Sequence, residues 1–237
     1  MNSEKFKHVI LTRFNTKEDN EGKLLYDKPG ANRWMDNRVQ LFKETQKSVL
    51  EQTCGNFEWV ISMDERTPER YLKKIDSDYR IKLVSCNILD AFVGREVDTP
   101  WVITTRLDCD DIIMPGFVHA VQRQFQPKLK VIDVGVVRLN WDTQKVHAGN
   151  VGRGRSMFIS LVENSNRVVT VFCRPHAVLH LGYPMTGVRG SFGEYISIPV
   201  DQINKPRAVM VCHGENEANY INSPYMCDWE DFKNANY

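Results

Sequence analysis

The feature that most constrains this chain is the alternation, in its first half, of short apolar runs with segments of helical spacing. The apolar runs lie at residues 8–12, 57–63, 80–84 and 101–105. The helical segments lie at residues 33–53, 68–75, 88–97 and 115–125. Strands that alternate with helices in this way form a mostly parallel sheet. The sequence therefore predicts an α/β fold with helices on both faces of a mostly parallel sheet.

The second half of the chain changes to strands and irregular segments, and no stretch has the composition of a linker. Its apolar runs lie at residues 131–141, 157–162, 168–173 and 208–212. Runs rich in β-branched and apolar residues predict strands. We therefore expect a single domain over residues 1–237, with a mixed sheet in its second half.

The composition limits the partners and the location of the chain. Of its 237 residues, 42% are hydrophobic and 26% are charged, which is ordinary for a globular domain. The 31 Lys and Arg residues nearly balance the 30 Asp and Glu residues, so no strong basic field favours non-specific nucleic-acid binding. The apolar runs are far shorter than the roughly 20 residues of a membrane span. The N-terminus lacks signal-peptide features, and we expect a cytoplasmic protein without a transmembrane segment.

The cysteine and histidine patterns do not predict a disulfide framework or a structural zinc site. The six cysteines contain no C-x-x-C pair, so we expect reduced thiols. His176 and His180 have a spacing of four but lack the intervening Glu of a zinc-protease helix.

Three carboxylates, Asp108, Asp110 and Asp111, crowd the positions just after the predicted strand at 101–105. Such a cluster is costly unless a cation neutralises it. Hard oxygen ligands favour magnesium or manganese, with the phosphates of a substrate completing the coordination shell. The carboxyl end of a parallel strand is also where open α/β sheets bind ligands. The alternative, that one acid caps the following helix and the others are solvated, stays open at this point.

Four segments of the chain resemble the "putative rhamnosyltransferase" family. They lie at residues 8–15, 52–59, 104–111 and 158–163. The resemblance implies a GT-A glycosyltransferase fold, in which a Rossmann-like nucleotide-sugar half (1–126) carries the DxD motif and an acceptor half (127–237) follows. It also implies that Mn²⁺ or Mg²⁺ assists transfer of a sugar from a nucleoside-diphosphate sugar, of UDP or dTDP type. We expect the acceptor to be the hydroxyl of a glycan, a protein or a modified nucleic-acid base.

The resemblance also assigns the donor nucleoside to residues at the ends of the first two strands. The residues involved are Thr12, Arg13, Asn15 and Asp64. Asp64 suits the task because a carboxylate accepts the imide N–H of uracil or thymine. The alternative, that Asp64 is only a turn residue together with Glu65 and Arg66, stays open at this point.

The same resemblance assigns the binding of the diphosphate and of the metal to the acid cluster and to Arg106. Arg106 offers its fork to the diphosphate or holds the aspartates in place. Asp108 reaches the donor ribose or the metal, while Asp110 and Asp111 face the metal. His213, just beyond the apolar run at 208–212, completes the metal shell or is simply a strand-end histidine.

The catalytic base is the point at which the sequence departs from the general pattern of this fold. Inverting enzymes place an Asp or Glu downstream of the metal acids, often in an acidic doublet, and the expected region has none. The candidates are Glu194, Glu163 and Asp201. Glu194 has flanking glycines that permit close approach to a ligand, and Glu163 lies in a segment that matches the family.

Two other functions remain open from the sequence. A nucleotidyltransferase also uses carboxylates and magnesium on an α/β sheet, but residues 12–15 offer no glycine-rich phosphate loop. A non-catalytic sugar-nucleotide-binding module would keep the same acids without turnover. Nucleotide binding and product analysis distinguish these functions.

Overall fold

The structure, a computed structural model, describes most of the chain. The described residues are 5–16, 31–88, 90, 97–149, 156–173, 183–184, 195–196, 199–213, 221 and 223–237. Glu194 and most of the predicted helix at 88–97 lie outside them.

A ten-stranded sheet organises the described part of the chain. Its strands are β1 (Phe6–Arg13), β2 (Glu58–Ser62), β3 (Ile81–Val84), β4 (Trp101–Arg106), β5 (Ile112–Ile113), β6 (Lys130–Asn140), β7 (Lys145–Ala148), β8 (Ser160–Asn164), β11 (Val200–Cys212) and β12 (Tyr225–Asp228). A separate small sheet pairs β9 (Tyr183–Pro184) with β10 (Tyr195–Ile196). The helices are α1 (Ala31–Leu50), α2 (Glu69–Leu72), α3 (Phe117–Arg123) and α4 (Trp229–Asn236).

The main path through the sheet is β12-β7-β6-β8-β4-β1-β2-β3. Strands β4, β1, β2 and β3 are parallel neighbours, while β8 and β7 run antiparallel to the strands beside them. Strand β11 runs parallel to β6 and antiparallel to β5. The predicted α/β class is confirmed. Strands from both halves of the chain share one sheet, and the boundary at residue 126 stays a prediction.

Strand β1 is buried on both faces, which is why its sequence is a continuous apolar run. Ile10 packs with residues of α1 on one face, including Met35 and Phe42, whereas Val9 and Leu11 face the other core. Helices α2 and α3 contribute to the same core as α1. In the other core, the residues that pack on the strands from outside the sheet, such as Ile88, Ile159 and Val171, lie in irregular segments. No helix of this part of the chain is both long and apolar enough to cross a membrane.

The predicted strand at 168–173 is wrong, because this apolar segment is a loop. Its backbone N–H groups donate to side chains instead of to a neighbouring strand. Glu163 accepts hydrogen bonds from Val169 and Thr170, and Thr104 accepts one from Val171. These side-chain acceptors satisfy the backbone groups that would otherwise need a ladder partner.

His8 is a buried polar residue that ties β1 to β4 and α3. Its Nδ1 lies 3.4 Å from Nε2 of Gln122, and its Nε2 lies 2.8 Å from Oγ1 of Thr105. Because an amide nitrogen only donates, Nδ1 accepts and the His8 proton is on Nε2. Burial lowers the pKa of His8 to about 3.

We predict that His8 contributes to acid destabilisation of the fold. The folded pKa lies below the ordinary value of 6.5, so the stabilisation is fully present above pH 6.5 and is lost as the pH falls toward about 3. The free energy of unfolding, measured in urea, should fall through His8 by about 1.4 kcal/mol per pH unit in this window. In His8→Gln, whose side chain stays neutral, the free energy of unfolding should depend less steeply on pH. His119→Gln, at an exposed position, is the matched control. Parallel slopes in wild type and His8→Gln would refute the prediction.

Candidate functional site

The candidate site lies where β1, β2 and β4 end at the same edge of the sheet. The register pairs Arg13 with Ser62 and Leu11 with Arg106, so the segments that follow these strands are neighbours. Two backbone hydrogen bonds extend the pairing, from Phe14 to Ser62 at 2.9 Å and from Leu107 to Leu11 at 3.0 Å. The predicted nucleotide residues and the acid cluster therefore meet at one edge.

Asp108 is held by the arginine that precedes it. Arg106 donates to the two carboxylate oxygens of Asp108 at 3.3 and 2.9 Å. Burial alone would raise the pKa of Asp108, but the charges of Arg106, Arg13 and Arg38 bring it below its ordinary value. Asp108 is therefore an anion held within a group of three arginines.

Asp110 lies between a helix and the end of β11. Its Oδ2 accepts hydrogen bonds from Arg38 of α1 and from Nε2 of His213, the latter at 3.1 Å. All three side chains are mostly buried. The structure thus brings together Asp110 and His213, which the sequence analysis assigned to one metal site.

Arg38 was missed by the sequence analysis, although the sequence carries a signal for it. Burial alone would lower the pKa of Arg38, but the acidic groups around it, Asp110 and Asp108 among them, raise it well above its ordinary value. Its guanidinium also stacks on Trp34, four residues earlier, at 4.7 Å from the ring centroid. A charged residue on the apolar face of the predicted helix at 33–53 is unusual, and that is the signal.

Asp111 carries a buried oxygen that has no hydrogen-bond partner among the described residues. Its Oδ1 accepts the backbone N–H of Val211 at 3.0 Å, whereas its Oδ2 is buried and unsatisfied. Burial raises the pKa of Asp111 well above its ordinary value, and the charges of Asp110 and Asp108 raise it further. A cation beside this oxygen would give it a partner and would offset the repulsion from Asp110 and Asp108.

A magnesium or manganese ion at this site would have to take part of its coordination shell from a substrate. Within the described ranges, no three His, Cys, Asp or Glu side chains converge in an arrangement that would hold a metal by themselves. Magnesium is usually held by one or two carboxylates together with phosphate oxygens and water. Asp110, Asp111 and His213 are the residues of this chain that would hold it.

The predicted nucleoside residues form a hydrogen-bonded corner. Thr12 is fully buried, and its hydroxyl accepts the indole N–H of Trp59 at 2.9 Å. Asn15 is also buried; it accepts the backbone N–H of Asp64 and donates to Thr67, at 2.8 and 2.7 Å. These contacts give Thr12 and Asn15 partners within the protein, and they fix the course of the chain after β1 and β2.

Asp64 is paired with a neighbour that the sequence analysis treated only as part of a turn. Arg66 donates to the Asp64 carboxylate from its backbone at 2.8 Å and from its guanidinium at 2.9 and 2.8 Å. The hydrogen bonds and charge of Arg66 lower the pKa of Asp64, against the opposing effect of burial. The Arg66 side chain is 43% exposed and that of Asp64 only 4%, so Arg66 is the accessible member of the pair.

The described candidates for the catalytic base already have partners in the protein. Glu163 is fully buried and pairs in register with Val102, at the amino end of β4 and therefore away from the acid cluster. Asp201 forms an ion pair with Lys130, whose ammonium group is buried. Glu194 lies outside the described residues. The geometry thus favours structural roles for Glu163 and Asp201.

Comparison of the sequence with models of protein families identifies the family of this chain. The model of the family described as "Putative rhamnosyl transferase" matches residues 11–137, which is more than half of the chain. The chain belongs to this family. The match covers the end of β1, all of β2 and β4, and the acid cluster, so the resemblance seen in the sequence is confirmed. The α/β sheet predicted for a member of the family is also present.

Several solved structures are similar to this rhamnosyl transferase family member. The 1–349 piece of S. aureus TarS is 14% identical with a TM-score of 0.44, and the match covers 86% of this chain and 60% of that one. The 4-diphosphocytidyl-2C-methyl-D-erythritol synthase of Anaerococcus prevotii DSM 20548 is 14% identical with a TM-score of 0.38, covering 99% and 96%. A "putative nucleotide-diphospho-sugar transferase" of Desulfovibrio desulfuricans G20 is 8% identical with a TM-score of 0.32, covering 86% and 83%. A comparison with curated proteins finds no match.

Proposed function

We propose that this chain is a metal-dependent glycosyltransferase that moves a sugar from a nucleoside-diphosphate sugar to an acceptor hydroxyl. Family membership supports the reaction class. The observation that carries the proposal is the group of opposite charges at the carboxyl edge of the sheet. There, three aspartates face three arginines that come from two strands and a helix: Asp108, Asp110, Asp111, Arg13, Arg38 and Arg106.

This arrangement suits a reaction in which negative charge grows on a leaving diphosphate. Arginine forks bind phosphate oxygens in a fixed geometry, and fixed charges in a poorly solvated site stabilise charge that develops in the transition state. Arg13 and Arg106 bind and orient the diphosphate, while Asp108 keeps Arg106 in place. A divalent metal, when bound, neutralises charge on the leaving nucleoside diphosphate. Asp110, Asp111 and His213 would hold it.

The donor type and the base that activates the acceptor are further parts of the proposal. We assign a uracil or thymine base to the corner of Asn15, Asp64 and Arg66, with Arg66 as its accessible member. Glu194 is the proposed general base, since Glu163 and Asp201 already have partners in the protein. The acceptor belongs to the hydroxyl-bearing polymers: a glycan, a protein or a modified DNA base. A cytoplasmic location stays a prediction.

Nucleotide titration with and without manganese tests the proposal. We expect UDP or dTDP to bind in the presence of Mn²⁺ and to bind at least tenfold more weakly in excess chelator, because the aspartates then repel the diphosphate. GDP and CDP serve as comparison nucleotides. Unchanged UDP and dTDP affinity in chelator would count against metal dependence. A wild-type protein that binds none of the four nucleotides would overturn the proposed function.

A further inference from the structure

Phe172 contacts two arginine side chains at the edge of the sheet where the donor is placed. The centroid of its ring is 5.0 Å from Cζ of Arg13 and 5.2 Å from Cζ of Arg106. A guanidinium near an aromatic face is attracted by the negative potential of the ring, more strongly where water is excluded. One ring thus holds two like charges close together.

The segment that carries Phe172 is fixed by a buried carboxylate. Glu163 accepts the backbone N–H groups of Val169 and Thr170 at 2.9 and 3.1 Å. Thr170 has a φ of 67°, a left-handed conformation that is rare for a β-branched residue. Backbone strain of this kind persists where the surroundings determine the conformation, and it concentrates at functional sites.

A second anchor lies directly before Phe172. The backbone N–H of Val171 donates to Oγ1 of Thr104 in β4 at 2.9 Å, and the Val171 side chain is buried in the core of that face. The loop thus crosses the sheet from Glu163, near the amino end of β4, to the edge where Arg13 and Arg106 lie. The position of the Phe172 ring is therefore set by the fold.

The two arginines differ in their partners. Arg106 donates to Asp108, whereas no described residue makes a hydrogen bond or ion pair with the Arg13 guanidinium. Burial lowers the pKa of Arg13, and the charge of Arg106 adds to this effect against the opposing charge of Asp108. A dianionic ligand between the two forks would relieve this repulsion, and a diphosphate has oxygens for both.

We propose that Phe172 is a positioning residue for the donor's diphosphate, which aligns Arg13 and Arg106 so that both guanidinium forks face the phosphate oxygens. Glu163 acts indirectly, by fixing the loop that carries the Phe172 ring. This inference rests on the proposed function. It assigns to Glu163 a place in the site that does not require proton transfer.

Isothermal titration of UDP, pyrophosphate and uridine, each with Mn²⁺, tests the role of Phe172. In Phe172→Leu the ring is lost, so UDP and pyrophosphate should bind about tenfold more weakly while uridine binds as before. Phe172→Tyr keeps the aromatic face and should restore the affinity. Tyr79→Leu is the matched control, because Tyr79 is an exposed aromatic residue near another arginine, Arg80, at 5.7 Å. It should bind all three ligands normally.

The outcomes separate this inference from the proposed function. Equal UDP and pyrophosphate affinity in wild type and Phe172→Leu would overturn the role of Phe172 and leave the proposed function intact. Equal weakening of UDP and uridine would also overturn it, because general loosening of the site affects both ligands. If Phe172→Leu does not fold by circular dichroism, Phe172→Met fills the same space without a ring and is used in the same comparison. A wild type that binds none of UDP, dTDP, GDP and CDP would overturn both proposals together.

Discussion

Replacing Asp110 with Asn is expected to lower donor turnover at least a hundredfold while leaving the fold intact. Asn keeps the shape of the side chain and can still accept a hydrogen bond from Arg38 or His213, but it lacks the charge that binds a divalent metal. The lost charge weakens the buried ion pair with Arg38 but also relieves the repulsion that raises the pKa of Asp111, so the variant should remain folded at the assay temperature.

Turnover is measured as release of the nucleoside diphosphate, and thermal unfolding is recorded in parallel. Asp142→Asn makes the same chemical change at an exposed position between β6 and β7 and is the matched control. Its turnover should equal that of wild type. Wild-type turnover in Asp110→Asn would remove Asp110 from the proposed metal site.

The second large effect is expected at the proposed base. Glu194→Gln should lower kcat by about 10²–10⁴-fold, the usual contribution of a general base, while nucleotide affinity stays normal. Glu230→Gln, at an exposed position in α4, is the control and should leave kcat unchanged. In Glu163→Gln we expect a change in donor KM with little change in kcat, because Glu163 acts through the Phe172 loop.

A normal kcat in Glu194→Gln would exclude Glu194 as the base. A large loss of kcat in Glu163→Gln or in Asp201→Asn would then transfer the role to that residue. If all three variants keep the wild-type kcat, none of these residues is the base, and the anomeric configuration of the product, determined by NMR and compared with that of the donor, decides whether the enzyme retains configuration.

The central strands could be predicted because strands that are buried on both faces have continuous apolar sequences. Strands β1, β2 and β4 are buried on both faces and appear as unbroken apolar runs, and their observed bounds differ from the predicted ones by two residues or fewer. The apolar run at 168–173 has the same appearance. It is a loop because Glu163 and Thr104, outside the run, accept its N–H groups, and a sequence pattern does not show such distant partners.

The C-terminal elements were not predicted for a different reason. Strand β12 is mostly exposed, with Tyr225 and Met226 about half accessible, so it has no apolar run. Helix α4 is eight residues long and buries only Trp229 and Phe232 among its residues. Short elements with one or two buried side chains give too little periodicity to be recognised.

At the candidate site, the sequence shows the acids better than the groups that neutralise them. Three carboxylates within four positions after a strand stand out by composition alone. Arg38 lies 72 residues before Asp110, and only the packing of α1 beside β5 brings them together. Phe172 was not a candidate, because nothing in its local sequence connects it with Arg13 or Arg106.

Release of a nucleoside diphosphate from a sugar donor is the step that distinguishes a glycosyltransferase from a binding module. The chain is incubated with UDP-, dTDP- and GDP-linked sugars, with Mn²⁺ or with excess chelator, and the products are identified by mass spectrometry. We expect release of UDP or dTDP in the manganese samples, its loss in chelator, and its absence in Asp110→Asn. Release from no donor by a folded wild-type protein that binds UDP or dTDP would contradict the account and would identify the chain as a binding module.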